Sequence, residues 1–216
     1  MKSIYISLIA IAFFTLSCNS NTHSVKKSQF TEEQLSKYET AYFASGCFWC
    51  VEAIFESVKG VKEVVSGYAG GKAETANYQL VSAGRTDHAE AVKVYYDPKV
   101  VSYETLVKVF FVSHDPTTLN RQGPDAGRQY RSAIFYKNDS EKKTVDTYIA
   151  QLKKEQVFSG TITTEIAKYT AFYDAEDYHQ DYELRNPNNP YIKGVSVPRL
   201  KRFQKKFPQL LKKDAH

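Results

Sequence analysis

Thr40-Ala41-Tyr42-Phe43-Ala44-Ser45-Gly46-Cys47-Phe48-Trp49-Cys50-Val51-Glu52-Ala53-Ile54-Phe55-Glu56-Ser57-Val58 contains two structural periods joined by a break. Residues 40–44 are short, apolar and β-prone, Ser45-Gly46 is a turn pair, and residues 48–58 carry apolar side chains at helical spacing. The stretch therefore reads strand, tight turn, helix. Upstream, residues 29–38 are polar, with Thr31 placed as the N-cap of a helix before Glu32-Glu33-Gln34. Downstream, residues 61–68 form a strand closed by Gly70-Gly71, and residues 89–96 alternate and stop at Asp97-Pro98. Helical spacing follows over 103–113, a strand over 132–136 and a helix over 140–156 capped by Ser140. Residues 161–171 suit a strand, 175–184 a short helix and 198–211 a basic amphipathic helix. Strands alternating with helices predict an α+β fold, a two-layer α/β sandwich without internal repeats or a second folded domain. Residues 114–131 form a long polar loop rich in Gly and Pro, a length usually kept for function.

At 216 residues the chain is long enough for one sizeable core, and 42% hydrophobic with 25% charged residues fits a globule. The net charge of +5 does not point to nucleic acid, because much of the excess lies in Lys201-Arg202, Lys205-Lys206 and Lys212-Lys213 on one tail helix. At the N-terminus Lys2 precedes an apolar run over 4–16 that is too short to span a bilayer comfortably. The run ends in Thr15-Leu16-Ser17-Cys18, which resembles a bacterial lipobox apart from Thr15 where Leu is usual. The expected organisation is a signal peptide over 1–17, a lipid-anchored tether over 18–38, a catalytic domain over 39–197 and a basic helical extension over 198–216. The protein is then an exported lipoprotein held on the membrane by lipid at Cys18, facing the periplasm or cell exterior, and a monomer by default. Ordinary secretion with Cys18 free or removed is the other reading.

Lipidation of Cys18 leaves the folded domain one cysteine pair, Cys47 and Cys50. A bridge across so short a loop constrains little, so the pair points to redox chemistry rather than a framework. Cys47 falls where a strand turns into a helix, where unpaired amides and the helix dipole lower a thiol pKa; it is the expected nucleophile. Cys50 lies one turn further on the same face. Five histidines without paired spacing give no metal site, and no cofactor motif is present. A thioredoxin-like thiol–disulfide oxidoreductase also places Cys-x-x-Cys between strand and helix and stays open as an alternative. Against it, Phe48 and Trp49 build an apolar pocket rather than a flat docking surface. A binding lipoprotein with incidental cysteines is the non-enzymatic alternative.

Gly46-Cys47-Phe48-Trp49 followed by Val51-Glu52 resembles the signature of the A-type peptide methionine sulfoxide reductases. Gly67-Tyr68-Ala69-Gly70-Gly71, Asn77-Tyr78, His88-Ala89-Glu90-Ala91-Val92 and Tyr96-Asp97-Pro98 are similar to further segments of that family. So are His114-Asp115-Pro116, Arg121-Gln122-Gly123-Pro124-Asp125, Gln129-Tyr130-Arg131-Ser132, Thr163-Thr164-Glu165-Ile166 and Ala175-Glu176-Asp177-Tyr178-His179-Gln180. The resemblance covers residues 42–193 and implies a ferredoxin-like core with long flanking loops. It implies reduction of protein-bound methionine-S-sulfoxide, with the free amino acid left open as a substrate, Cys47 attacking the sulfoxide sulfur and Glu90 donating a proton. Tyr78 and Tyr130 match phenols that bond the sulfoxide oxygen, Asp125 a carboxylate that orients them, and Phe48 and Trp49 the walls around the S-methyl group. Methionine leaves Cys47 as a sulfenic acid, a second thiol closes a disulfide, and an external thioredoxin-like dithiol regenerates the enzyme.

The chain departs from the family in two places. Its tail over 186–216 has no cysteine where many members keep resolving ones, and Cys50 replaces the usual Gly. Cys50 is therefore expected to resolve the sulfenic acid, the competing reading being direct reduction by an external thiol. Asp87 stands where Gly is common and would raise the Glu90 pKa if near it. His88, His114 and His179 are expected to be structural.

Overall fold

The computed structural model describes residues 30–213 and 215. The expected signal peptide, Cys18 and most of the tether lie outside the described residues. The helices are α1 (Glu32–Leu35), α2 (Phe48–Glu56), α3 (Tyr78–Ser82), α4 (Tyr103–Val112), α5 (Asp139–Lys154), α6 (Tyr182–Arg185) and α7 (Val197–Lys206). The strands are β1 (Glu39–Ser45), β2 (Val61–Ala69), β3 (Ala89–Tyr96), β4 (Arg121–Gln122), β5 (Asp125–Ala126), β6 (Ser132–Tyr136), β7 (Glu165–Lys168) and β8 (Phe172–Asp174). A six-stranded sheet runs in the order β7-β6-β1-β3-β2-β8. Pairing is antiparallel except between β6 and β7. The fold is mixed α/β, with β1, β2, β3 and β6 linked through α2 and α4 in a β-α-β-β-α-β succession.

Strand period decides the two faces. Ala41, Phe43, Val64, Tyr68, Val92, Val94, Tyr96 and Ile134 share one core with Val51, Ile54 and Phe55 of α2 and Leu106, Val107 and Phe110 of α4. The Phe43 ring stacks on Phe55 at 4.9 Å and lies 5.5 Å from Phe110, which ties strand to both helices. The opposite face carries the small residues Ala44, Ala69, Ala89, Ala91 and Ala133, covered by Tyr42, Phe135, Tyr169 and Phe172. Small strand residues let those aromatic rings lie close to the sheet.

Several expected elements changed shape. Thr31 caps α1 with a capping box as expected, but Asn138, not Ser140, caps α5, because its extended backbone lets the side chain accept from the Glu141 N–H. The strand expected over 161–171 shortens to β7, which pairs only where β6 runs beside it, and β8 follows separately on β2. The helix expected over 175–184 breaks because Asp181 adopts φ +52°, leaving a 3₁₀ turn at Asp177–His179 and then α6. The segment set apart as a basic extension over 198–216 packs into the domain. A π-helical turn at Ile192–Ser196 runs into α7, whose Arg199, Leu200 and Phe203 are buried. No helix among the described residues is long and apolar enough to cross a membrane.

Candidate active site

Gly46 sets the entry to the site. Its φ is +93°, and a Cβ there would lie 2.7 Å from Gln122 Cβ, so the turn out of β1 needs a residue without a side chain. Cys47 follows as the N-cap of α2 and is 6% exposed. β3 brings Glu90 to the same place, since Glu90 shares the helix-side face of the strand with Val92, Val94 and Tyr96. Its Oε2 accepts from the Phe48 N–H at 3.1 Å. Burial pushes the Glu90 carboxyl up to about 8, against the Phe48 hydrogen bond that favours the charged form and with added repulsion from Asp125. At neutral pH residue 90 is thus mainly a protonated acid beside the first turn of α2.

The same hydrogen bond takes one of the first-turn amides near the expected Cys47 thiolate. The Cys47 side chain makes no cap hydrogen bond, and the Phe48 amide expected to stabilise a thiolate is occupied by Glu90. Burial pushes the Cys47 thiol well above its ordinary range, reinforced by Cys50 and by Glu90 when charged. The Cys50 thiol is instead lowered to about 7, by the Cys47 thiol beside it first, then against burial by Arg199, Ser196 and Tyr191. Burial thus raises the Cys47 thiol, while the groups around Cys50 lower the Cys50 thiol. Both cysteines are free thiols.

Cys50 Sγ lies 3.8 Å from Tyr191 Oη, and that hydroxyl donates to Asp125 Oδ2 at 2.6 Å. Asp125 sits on the hairpin of β4 and β5 within the long loop, and burial raises its pKa. Tyr78 opens α3, and Tyr130 closes the 3₁₀ turn before β6. Burial raises both phenols, Tyr78 to about 12, and charges on Glu90 and Cys47 act on both, so the two hydroxyls share the Cys47 surroundings. Phe48 is 1% exposed and packs on Tyr68 and His179, forming the floor rather than a free wall. Trp49 is partly exposed: its indole stacks on Tyr182 at 3.8 Å and its Nε1–H donates to His179 Nδ1 at 3.2 Å. The structure therefore gathers Cys47, Cys50, Glu90, Asp125, Tyr78, Tyr130, Phe48 and Trp49 around the start of α2.

The histidines hold the frame. Burial lowers His179 to about 4 and His114 to about 3, so both are neutral. His114 bonds Phe110 O and Ser132 Oγ, and His88 Nε2 bonds Lys72 O. Asp87 does not act on Glu90; its carboxylate is exposed and pairs with Arg128 at 3.4 Å. Sequence reading missed Tyr191, Tyr182, Glu176 and Arg199. Glu176 accepts from Tyr68 Oη at 2.7 Å and from the Tyr78 N–H at 3.0 Å, which fixes Tyr78. Tyr191 follows Asn189-Pro190 in a tail without periodicity, so no local pattern singled it out. Among the described residues no group of three or more His, Cys, Asp or Glu is arranged to hold a metal ion. A cavity of about 500 Å³ lined by Glu52, Glu56, Asp181 and Glu183 does not include Cys47 in its walls.

The peptide methionine sulfoxide reductase family model matches residues 39–211. Peptide methionine sulfoxide reductase MsrA 2 of Synechocystis is 53% identical over 175 residues, covering 81% of this chain and 82% of its own. Methionine sulfoxide reductase A of Corynebacterium diphtheriae superposes with a TM-score of 0.63 at 37% identity, over 71% of this chain and 77% of its own. Reduced Mxr1 of Saccharomyces cerevisiae gives a TM-score of 0.64 at 35% identity, over 71% of this chain and 88% of its own.

Proposed function

The chain belongs to the peptide methionine sulfoxide reductase family, and on that premise we propose that it reduces methionine sulfoxide in proteins or peptides to methionine, with Cys47 as nucleophile. The observation that carries this reading is the Glu90 carboxyl, buried, bonded to the first amide of α2 and held protonated to about pH 8 beside Cys47. A sulfoxide oxygen leaves poorly unless it gains a proton as the S–O bond breaks, and a buried neutral acid supplies one.

The Cys47 proton passes to the Cys50 thiolate, and the electron pair freed on Cys47 attacks the sulfoxide sulfur. Glu90 protonates the oxygen, with the Tyr78 and Tyr130 hydroxyls donating to it and Trp49 beside the S-methyl group. The attack forms an S–S bond to the substrate sulfur. As the S–O bond breaks, the protonated oxygen passes to Cys47 as hydroxyl and the S–S bond breaks with its electron pair on the substrate sulfur. Thiol plus sulfoxide thus gives sulfenic acid on Cys47 plus thioether. Cys50 then closes a disulfide with Cys47 and water leaves. An external thioredoxin-like dithiol restores both thiols by exchange. Asp125 orients the Cys50 side of the site through Tyr191. The N-terminal sequence supports an exported lipoprotein with lipid on Cys18, which places this chemistry outside the cytoplasm.

The direct test supplies purified protein with a peptide carrying separated S and R sulfoxide epimers and a dithiol. Conversion of the S epimer alone, without reduction of insulin disulfides, is expected; insulin reduction without methionine formation supports a thiol–disulfide oxidoreductase instead. A second expectation concerns Cys50. Cys50→Ser should still yield one methionine per enzyme but lose rapid recycling by thioredoxin. Its first-turnover rate should rise only at more alkaline pH, because Cys47 then has no thiolate neighbour to take its proton. Full steady-state rates in this variant end the resolving role.

A further inference from the structure

Arg199 is 7% exposed and carries a full positive charge into the domain from α7. Its Nε donates to Ser113 O at 2.8 Å, Nη1 to Ser45 O at 3.0 Å and Nη2 to Ser45 Oγ at 3.1 Å. All three acceptors are neutral, and no carboxylate lies within ion-pair distance of it among the described residues. A buried cation is costly unless an anion lies near it; the Asp125 carboxyl feels Arg199 from beyond ion-pair distance. The guanidinium sits against Gly46, with Nη1 3.6 Å from where a Cβ would lie, directly before Cys47.

We infer that Arg199 is a positioning residue of the cysteine pair, its guanidinium serving as the counter-charge that lets Cys50 become a thiolate and attack the Cys47 sulfenic acid. This inference rests on the function proposed above. In that step the Cys50 thiolate gives its electron pair to the Cys47 sulfur, the S–S bond forms and the S–O bond breaks. The hydroxide takes a proton and leaves as water; Cys50 is oxidised and the sulfenic sulfur reduced. Arg199 itself exchanges nothing. Its charge acts on Cys50 in the direction required, lowering it, and also lowers His114 and Asp125.

The other groups facing Cys50 come from separate elements. Cys47 precedes it on α2, Ser196 and Tyr191 lie in and beside the π-helical turn before α7, and Glu90 projects from β3. His114, at the end of α4, faces Arg199 but is neutral, and Asp125 is bonded by Tyr191. Arg199 is the fixed positive charge of this set. The tail helix, read from sequence as an accessory, thereby reaches the chemistry.

The test titrates Cys50 as the single remaining thiol, by thiolate absorbance, in full-length protein carrying Cys18→Ser and Cys47→Ser. Arg199→Gln in that background should move the Cys50 midpoint up by at least about one pH unit, a tenfold fall in the thiolate-to-thiol ratio at fixed pH. Arg199→Lys, which keeps the charge, should move it by less than half as much. A folded Arg199→Gln protein with an unmoved midpoint overturns the inference. Where the Gln variant does not fold, Arg199→Lys decides: an unmoved midpoint supports the charge, and a shift of a unit or more overturns it. In proteins with all cysteines, Arg199→Gln should slow both steps that use the Cys50 thiolate, formation of Cys47 sulfenic acid and closure of the disulfide, each by at least about fivefold at pH 7. Wild-type protein runs alongside; if it makes no methionine, the reductase reading fails whatever the Arg199 titrations show.

Discussion

Replacing Cys47 by serine is expected to abolish methionine formation, a loss of at least roughly four orders of magnitude in the first turnover. The substitution changes one atom at the N-cap of α2, and serine is itself a favoured capping residue, so the helix and its contact with Glu90 should persist. A serine hydroxyl in a site that already penalises negative charge does not ionise, and the Cys50 thiolate cannot abstract its proton to any useful extent. Cys50 does not substitute, because it is 2% exposed and its sulfur lies against Tyr191 on the inner side of the helix. Methionine is read by chromatography after mixing excess enzyme with sulfoxide peptide, with circular dichroism verifying the fold. More than about one percent of wild-type rate would place the nucleophile elsewhere.

Glu90→Gln is expected to slow the first turnover by roughly 10²- to 10⁴-fold, the usual worth of a positioned acid, while preserving the fold. Glutamine still accepts from the Phe48 N–H but has no proton to release. The pH dependence has a definite sign. The wild-type rate should rise as the cysteine pair ionises near 7 and fall as Glu90 loses its proton near 8, a narrow bell; the Gln variant keeps the rise and lacks the fall. Stability follows the same group. A carboxyl with a folded pKa of about 8 stays protonated while the unfolded chain ionises above about 4.5, so folding takes up a proton and native stability declines with pH across that window. Glutamine has no such decline, so Glu90→Gln should melt higher than wild type at pH 7 and equally at pH 4. An alkaline fall that persists unchanged in the Gln variant assigns the proton donor to another residue.

Strand and helix periods carried much of the fold because β3 alternates over a face that is buried throughout, β6 is a short run of mostly apolar residues, and α2 and α4 carry apolar stripes. Elements ruled by distant partners were less legible. β7 is only as long as its neighbour β6 allows, and the break at Asp181 depends on a backbone angle that no hydrophobic period reports. The site divides along the same line. Cys47 and Glu90 belong to ordered motifs, whereas Tyr191 and Arg199 act through contacts across 141 and 154 positions of sequence. The surroundings of the Cys47 sulfur were hidden too, because β3 places a carboxyl on the Phe48 amide at the start of α2.

The account stands on a single oxygen passing to Cys47 and being expelled by Cys50. Mass spectrometry of the peptide holding both residues, taken before and after one turnover with thiols trapped at once, follows that passage. The account predicts a peptide lighter by two hydrogens in wild type and heavier by one oxygen, on Cys47, in Cys50→Ser, each in step with one methionine released. Methionine appearing while this peptide keeps its starting mass would contradict it.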